Sequence, residues 1–306
     1  MNIKWTLDSV PDLTNKAIIV TGGNSGLGYE SVKAFAAKGA NVILACRDAD
    51  KGEAAKKTIL ETQPSSRIEL MTLDLANLAS IHEFSDAFKQ QNERLDILLN
   101  NAGVMMTPHL KTKDGFELQL GTNHLGHFAL TGLLLEILKK TPGSRVVNIS
   151  SNGHKRGKMD FDDLMYEKGG YSSIAAYGRS KLANLLFTYE LQRRFENAGL
   201  DCIAVAAHPG GSNTNLGRYI RKRIIVRILW PLAKGIMQDA AMGALPGIRA
   251  AVDPGVKGGE YYGPGGRMEM KGYPVKVTSN EASHDLADAE KLWDISEKLT
   301  SVKYEF

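Results

Sequence analysis

Only two cysteines, Cys46 and Cys202, stand among the 306 residues, each inside an apolar run. Their placement suits no metal-ligand spacing, so no metal site is expected, and both read as buried thiols in a reducing compartment. No apolar run approaches the length needed to cross a bilayer. Residues 1–12 carry charges and no long apolar core, and read as neither a signal peptide nor an anchor. A soluble, cytoplasmic protein is expected. Internal repeats, low-complexity linkers and breaks of composition are also lacking. With 43% hydrophobic residues, residues 1–306 read as a single domain with ample core. A large excess of one charge is missing too: 38 basic residues face 34 acidic ones, for a net +4. Six of the basic residues, Arg218, Arg221, Lys222, Arg223, Arg227 and Lys234, fall in one stretch without an acid. Without them the balance is 32 to 34, so the basic character is local and a general nucleic-acid surface is not expected.

What the chain does have is strict alternation. Short apolar runs at Ala17–Val20, Asn41–Cys46, Arg67–Leu73, Leu95–Leu99, Arg145–Ile149 and Asp201–Ala206 read as buried strands. Between them, Leu27–Lys38, Ala49–Glu61, Leu78–Gln91, Phe116–Lys139 and Ala175–Glu196 read as helices. Such β-α alternation means a parallel sheet with helices on both faces. With a strand near Glu260–Tyr262 and a closing helix at His284–Thr300, the expected fold is α/β: one doubly wound Rossmann domain with about seven parallel strands. A substrate lid is expected at 213–238, after strand six, and a C-terminal extension at 263–306.

The first strand runs into Thr21-Gly22-Gly23-Asn24-Ser25-Gly26-Leu27-Gly28. Strand, glycine turn, helix is the layout of a dinucleotide site. Glycines let the backbone approach a pyrophosphate, and the helix start offers free N–H groups. The second strand ends at Cys46 with no acid for a ribose 2′-hydroxyl, and Arg47 follows. A guanidinium there suits a 2′-phosphate, which favours NADP(H) over NAD(H); the plainer alternative is a surface arginine paired with Asp48 or Asp50. Asp74-Leu75 is placed to meet adenine, or to cap the next helix. Asn100-Asn101-Ala102-Gly103 ends strand four; small residues there permit close approach to a ligand, while asparagines also lock neighbouring strands.

The strongest chemical signal is Tyr177-Gly178-Arg179-Ser180-Lys181. Tyr and Lys four apart share a helix face, and an ammonium near a phenol is expected to lower the tyrosine pKa towards working pH. That makes a proton donor to a carbonyl, or a base for an alcohol. Ser150 and Ser151 end the fifth strand, where ligand-facing groups gather, and Asn123 lies in the preceding helix.

From about Lys16 to Tyr262 the sequence resembles the short-chain dehydrogenases/reductases. The resemblance rests on Thr21–Gly28, Asn100–Gly103 and the set Asn123, Ser151, Tyr177 and Lys181, which agree in identity, order and topology. It implies that Tyr177 exchanges the proton with the carbonyl oxygen and that Ser151 polarises that oxygen. It further implies that Lys181 holds the nicotinamide ribose and that Asn123 holds a water leading to Lys181. Pro209-Gly210 with Thr214 resembles the loop that holds the nicotinamide carboxamide. Within the family the sequence is similar to the retinol-dehydrogenase-like branch. Leu44–Asp48, Asn123-His124-Leu125-Gly126-His127-Phe128 and Ser180–Asn184 carry that likeness, as do the 26 positions from Ser151 to Tyr177. The polar insert in that interval, with Lys155, Arg156, Lys158, Asp160, Asp162 and Asp163, is expected to rim the substrate cleft rather than enter the core.

The cofactor set expected is therefore Gly22, Asn24, Ser25, Gly26, Leu27, Gly28, Arg47, Asp74, Leu75, Asn101, Ala102, Gly103, Tyr177, Lys181, Pro209, Gly210 and Thr214. The reading is an NADPH-dependent reductase, or alcohol dehydrogenase, for a hydrophobic ketone, aldehyde or alcohol. The alternative is a non-catalytic NADP-binding sensor or scaffold, against which Ser151, Tyr177 and Lys181 together speak. The basic, apolar stretch 216–234 is either a packed helix with a solvated face or a weak membrane-surface contact. The Phe116–Lys139 and Ala175–Glu196 helices either pair across a homodimer or pack internally. His154, His208, Met105 and Tyr171 are further candidates to line the cleft, and Met268–Val277 reads as a surface hairpin or a flap over its mouth.

Overall fold

Every residue of β1 (Ala17–Thr21) is buried, with Ile18 and Val20 facing one helical layer and Ile19 the other. The same period of two runs through β2 (Asn41–Cys46), β4 (Ile97–Asn100), β5 (Ser144–Ile149) and β6 (Cys202–Ala207). A strand apolar on both sides needs cover on both sides, which is why helices flank the whole sheet. The computed structural model describes residues 4–212 and 237–306. Thr214 and nearly all of the expected lid, with its basic residues, lie outside the described residues.

The sheet has eight strands in the order β3-β2-β1-β4-β5-β6-β7-β8, with β3 at Arg67–Thr72, β7 at Tyr261–Pro264 and β8 at Pro274–Val277. All pairings are parallel except β7 with β8, which form an antiparallel hairpin. One layer holds α1 (Gly26–Ala37), α2 (Ala49–Thr62) and α8 (Ala240–Val252), packing Val32, Phe35, Ile59, Leu245 and Ile248 on the sheet. The other holds α3 (Leu78–Gln91), α5 (Gly126–Leu133), α6 (Leu135–Lys140), α7 (Ser173–Asn197) and α9 (Leu286–Thr300). Strand order reverses beside β1 and β4, so a crevice opens above their carboxyl ends. The C-terminal residues complete the second layer: Trp293, Tyr304 and Phe306 stack among Phe128, Phe187 and Phe195, and the Tyr304 hydroxyl donates to the Phe128 carbonyl at 2.6 Å.

Four differences from the sequence reading have physical causes. The eighth strand is the return arm of the expected surface hairpin, so the sheet is one strand wider. The expected long helix from 116 to 139 is α4 (Leu118–Leu120), a π-turn (Gly121–Leu125), α5 and α6, with a break at Leu134. Apolar spacing does not report the extra residue of a π-turn. Helix α8 has no clear signature in the sequence, because Gly243, Pro246 and Gly247 break its apolar period. Gly243 is small because a Cβ there would sit 2.1 Å from Ser212 Oγ.

The fourth concerns the polar insert, which is not all rim. Met159 and Leu164 bury with Leu182, Leu186 and Leu292, forming a small core between the insert, α7 and α9. Arg179 anchors it, donating to the carbonyls of Lys158, Asp163 and Leu164 and lying 4.1 Å from the Tyr166 ring. With the sheet on one side and α9 and the insert on the other, internal packing accounts for the apolar faces of α7. Among the described residues no helix is long and apolar enough to cross a membrane, and no group of His, Cys, Asp or Glu is placed to hold a metal. Cys46 and Cys202 are buried free thiols on opposite faces of the sheet.

Candidate active site

The crevice above β1 and β4 is a cleft of about 720 Å³. Thr21, Gly22, Asn24, Ser25, Gly26, Leu27 and Gly28 line it from β1 and α1; Arg47 lines it from the end of β2; Asp74 and Leu75 from β3; Asn101, Ala102 and Gly103 from β4. One cleft thus gathers Arg47 and every expected residue of the glycine turn, the third-strand end and the fourth-strand end. The glycine turn and the fourth strand are built against each other. A Cβ at Gly28 would lie 2.3 Å from the Gly22 carbonyl and 2.6 Å from Asn101 Nδ2, so only glycine fits. Asn101 Nδ2 donates to the Thr21 carbonyl at 2.8 Å, and the N–H groups of Asn101 and Ala102 both donate to Thr21 Oγ1 at 2.9 Å. The Ser25 side chain caps none of the first-turn N–H groups of α1. A helix start of this kind, beside a backbone with no Cβ in the way, suits a phosphate anion.

At the far end Arg47 is exposed and forms no ion pair among the described residues. Its expected surface partner Asp48 is engaged elsewhere: it caps α2 through Lys51 N and pairs with Lys51 Nζ. Cys46, buried beside it, supplies no negative charge, since burial pushes its thiol up. Asp74 is not the cap of α3. Its Oδ1 accepts from Ala76 N, while Asn77 holds the cap position and Asp114 accepts from Leu78 N. Asn100 does the strand locking, with Nδ2 bonded to Thr131 Oγ1 and Asn148 Oδ1, and leaves the cleft to Asn101.

The chemical residues meet where β5, the π-turn and α7 converge. Ser151 follows β5; its Oγ accepts from Gly153 N at 3.0 Å, which leaves the hydroxyl proton free to donate. Burial raises the Tyr177 phenol above its usual value, partly offset by a hydrogen bond with Ser151. This corrects the expected lowering by Lys181. The Lys181 ammonium is directed to the Ile149 carbonyl at 2.8 Å and lies 5.8 Å from the centre of the Tyr177 ring, so desolvation wins. Burial brings Lys181 itself down from 10.5 to about 8. Ser150 turns the other way, donating to the Lys181 carbonyl, so strand alternation selects Ser151.

Asn123 sits inside the π-turn with its amide fully engaged: Oδ1 accepts from Val104 N, and Nδ2 donates to Val104 O and Ser180 Oγ. Gly103 lies beside both Asn123 and Lys181; a Cβ there would be 2.9 Å from Asn123 Oδ1 and 3.7 Å from Lys181 Nζ. Two residues missed by sequence reasoning bind these parts. His127, fully buried and neutral with its pKa brought down to about 4 by desolvation, spans from Thr21 Oγ1 at 2.9 Å to the Asn123 carbonyl at 3.0 Å. Glu269 meets His208 at the other end. The spacing His124-x-x-His127 was visible, but nothing in it announced which strand the second histidine would reach.

Of the further candidates, Met105 lines the cleft. Tyr171 serves as a tie, its hydroxyl near Thr107 O, Gln119 Nε2 and Glu117 Oε1. His154 braces Ser151, with Nδ1 2.6 Å from the Ser151 carbonyl and Nε2 accepting from Asn280 N. Pro209 and Gly210 follow β6, and Pro209 and His208 share a small cavity with Leu27 of the glycine turn and Asn101 at the end of β4. The 267–270 strap folds onto this loop: Gly211 N donates to Met270 O, and Asn152 Nδ2 to Met268 O. The hairpin expected at Met268–Val277 is thus the β7–β8 pair with its strap.

The family model described as short chain dehydrogenase matches residues 16–224. Retinol dehydrogenase 12 of Mus musculus is 39% identical over 96% of this chain and 89% of its own length. Retinol dehydrogenase 13 of Homo sapiens is 49% identical over 68% of this chain and 62% of its own. Among solved structures, an uncharacterised protein from Mycobacterium paratuberculosis superposes with a TM-score of 0.83 at 39% identity, covering 99% of this chain and 100% of that one. A Pseudomonas aeruginosa protein, RhlG, solved as an NADP active-site complex, has a TM-score of 0.65 at 22% identity over 82% of this chain and 94% of its own, a likeness of fold.

Proposed function

The chain belongs to the short-chain dehydrogenase/reductase family of oxidoreductases, in its retinol-dehydrogenase-like branch, and from that premise we propose that it is an NADP(H)-dependent enzyme interconverting a hydrophobic ketone or aldehyde with the alcohol. The observation that carries the reading is the meeting of Ser151, Tyr177 and Lys181 beside Gly103, which lines the same cleft as the glycine turn and Arg47. The volume, the two close-packed glycines and the uncapped start of α1 suit a dinucleotide. Gly22–Gly28 would hold its pyrophosphate, Asp74 and Leu75 its adenine, Arg47 its 2′-phosphate, and Pro209, Gly210 and Thr214 its carboxamide. When bound, that cofactor supplies or accepts a hydride.

The chain's own residues handle the proton. Ser151 Oγ accepts from Gly153 N–H and keeps its own hydroxyl proton, which would donate to the substrate oxygen and polarise it. Tyr177, kept protonated by burial, gives the proton that this oxygen needs on reduction. Oxidation uses the same groups in reverse and is helped by alkaline pH, which favours the phenolate. Lys181 holds the ribose hydroxyls and, when charged, favours the phenolate. Asn123 holds the π-turn in place beside Gly103 and the lysine. Retinol dehydrogenases being its relatives, an apolar primary alcohol or its aldehyde heads the substrate panel.

Two variants test the proposal. Arg47→Ala should lower kcat/KM with NADPH by roughly ten- to a hundredfold, as loss of a charge-assisted phosphate contact would, with the NADH value little changed. An unchanged KM for NADPH would sink the cofactor assignment. Tyr177→Phe should abolish turnover and keep nucleotide binding; a wild type that binds NADPH but reduces no carbonyl on a broad panel would favour the sensor reading.

A further inference from the structure

The strap between β7 and β8 carries a carboxylate that no step above uses. Met268 and Glu269 both have left-handed backbones, φ 53 and 54, although neither is glycine. Consecutive non-glycine residues of this kind are strained and persist where the surroundings impose them. Their effect is to turn the Glu269 side chain inward, towards His208. That histidine is fully buried at the end of β6, immediately before Pro209. Its Nδ1 accepts from Gly210 N at 3.2 Å, so the ring proton sits on Nε2. Glu269 Oε2 lies 2.8 Å from that Nε2, off the line of a well-aligned hydrogen bond, and neither atom has another partner among the described residues.

The ring has nowhere else to go. A Cβ at Gly263 would come within 2.0 Å of His208 Nε2. Gly210, at φ +61, leaves no room either: a Cβ would be 2.7 Å from Glu269 O and 2.6 Å from Met270 O. The strap and the loop are also tied through Gln238, which donates to Pro209 O and accepts from Gly272 N. The Glu269 carboxyl is held below its usual value by the His208 imidazole close against it, in opposition to the push of burial, with Lys155 Nζ 3.8 Å from its other oxygen. An anion thus stands behind the imidazole that receives the Gly210 N–H.

We propose that Glu269 is a positioning residue: through His208 it fixes the Pro209–Gly210 turn for the nicotinamide half of the dinucleotide. The inference rests on the cofactor reading above. A carboxylate on Nε2 keeps the ring proton there, leaves Nδ1 as acceptor and so holds the Gly210 amide in one orientation. Nothing in this arrangement touches the adenosine half, which lies at Arg47.

That asymmetry gives the test. Calorimetry compares wild type and Glu269→Gln with two probes, NADP+ and adenosine 2′,5′-bisphosphate, which lacks the nicotinamide half. The amide has nearly the shape of the carboxylate, so the fold is retained; Glu269→Asp, which keeps the charge and withdraws it by one methylene, provides a second variant. The expected result is NADP+ weakened roughly tenfold in both variants, on the scale of a lost supporting contact, with the bisphosphate affinity unchanged. Equal affinity for NADP+ in variants and wild type, or equal weakening of both probes, would overturn the inference by making Glu269 a general staple of the hairpin. Wild type that binds neither probe would instead bring down the cofactor reading itself.

Discussion

Thr21 Oγ1 and His127 Nε2 lie 2.9 Å apart in the fully buried interior, and the bond has one direction. His127 Nδ1 faces the Asn123 carbonyl, so it carries the proton; Nε2 is then the acceptor and the Thr21 hydroxyl donates. The same oxygen accepts from Asn101 N and Ala102 N. One threonine thereby joins the glycine turn, the fourth-strand motif and the π-turn that carries Asn123.

This bond requires a neutral imidazole. Desolvation holds His127 at about 4 and His124 at about 3, both below the ordinary 6.5. The unfolded chain therefore binds more protons between about 6.5 and 4, and stability must fall as pH drops through that window, by up to about 1.4 kcal/mol per unit for each group. His127→Leu should cost about 1–3 kcal/mol at pH 7 by removing the acceptor of Thr21, and should also lessen the acid slope. Urea titrations at a series of pH values measure both; a variant as stable as wild type at pH 7 would contradict the assignment.

Gly28→Ala tests the cradle. The added methyl meets the Gly22 carbonyl at 2.3 Å and Asn101 at 2.6 Å, so the turn must shift away from the fourth strand. Nucleotide affinity should drop at least tenfold, a larger effect than the roughly 1 kcal/mol range of helix propensity, which favours alanine here. Retained affinity by calorimetry would show that the backbone contact is not part of the site.

Lys181→Met is expected to stabilise the fold while removing activity. Below about 8 the lysine is charged in both folded and unfolded chains, and the cost of burying that charge is present in full. Between about 8 and 10.5 the folded protein releases the proton first, and the cost fades. The Ile149 carbonyl keeps a donor, since Asn184 Nδ2 also reaches it at 3.1 Å. At pH 7 the variant should melt a few degrees higher, the scale of about 1–2 kcal/mol in a chain of this size, with the gap closing towards pH 10.5. A lower melting temperature at pH 7 would refute the argument.

The sheet was readable because burial on two faces writes itself into β1, β2 and β4–β6 as short apolar runs. The cradle and Tyr177-x-x-x-Lys181 were readable because backbone approach and helical spacing are local properties. What local pattern could not convey was hydrogen-bond register and distant contact. Nothing in Gly121–Leu125 marks a π-turn, and α8 hides behind Gly243, Pro246 and Gly247. The direction of the Tyr177 shift was misjudged because spacing places Lys181 on the same face but does not weigh its distance against burial. Glu269 reaches His208 only because two consecutive residues adopt left-handed backbones, a choice that the β7–β8 strap imposes and no propensity suggests.

The aromatic closure by Trp293, Tyr304 and Phe306 bears on how the protein is made. Tyr177 and Lys181 of helix α7 leave the ribosome more than a hundred residues ahead of the side chains that cover Phe128, Phe187 and Phe195. Until Trp293, Tyr304 and Phe306 emerge, the nascent chain presents a cluster of phenylalanines to its surroundings. That interval is when it is most exposed to chaperone capture and to aggregation with neighbouring chains.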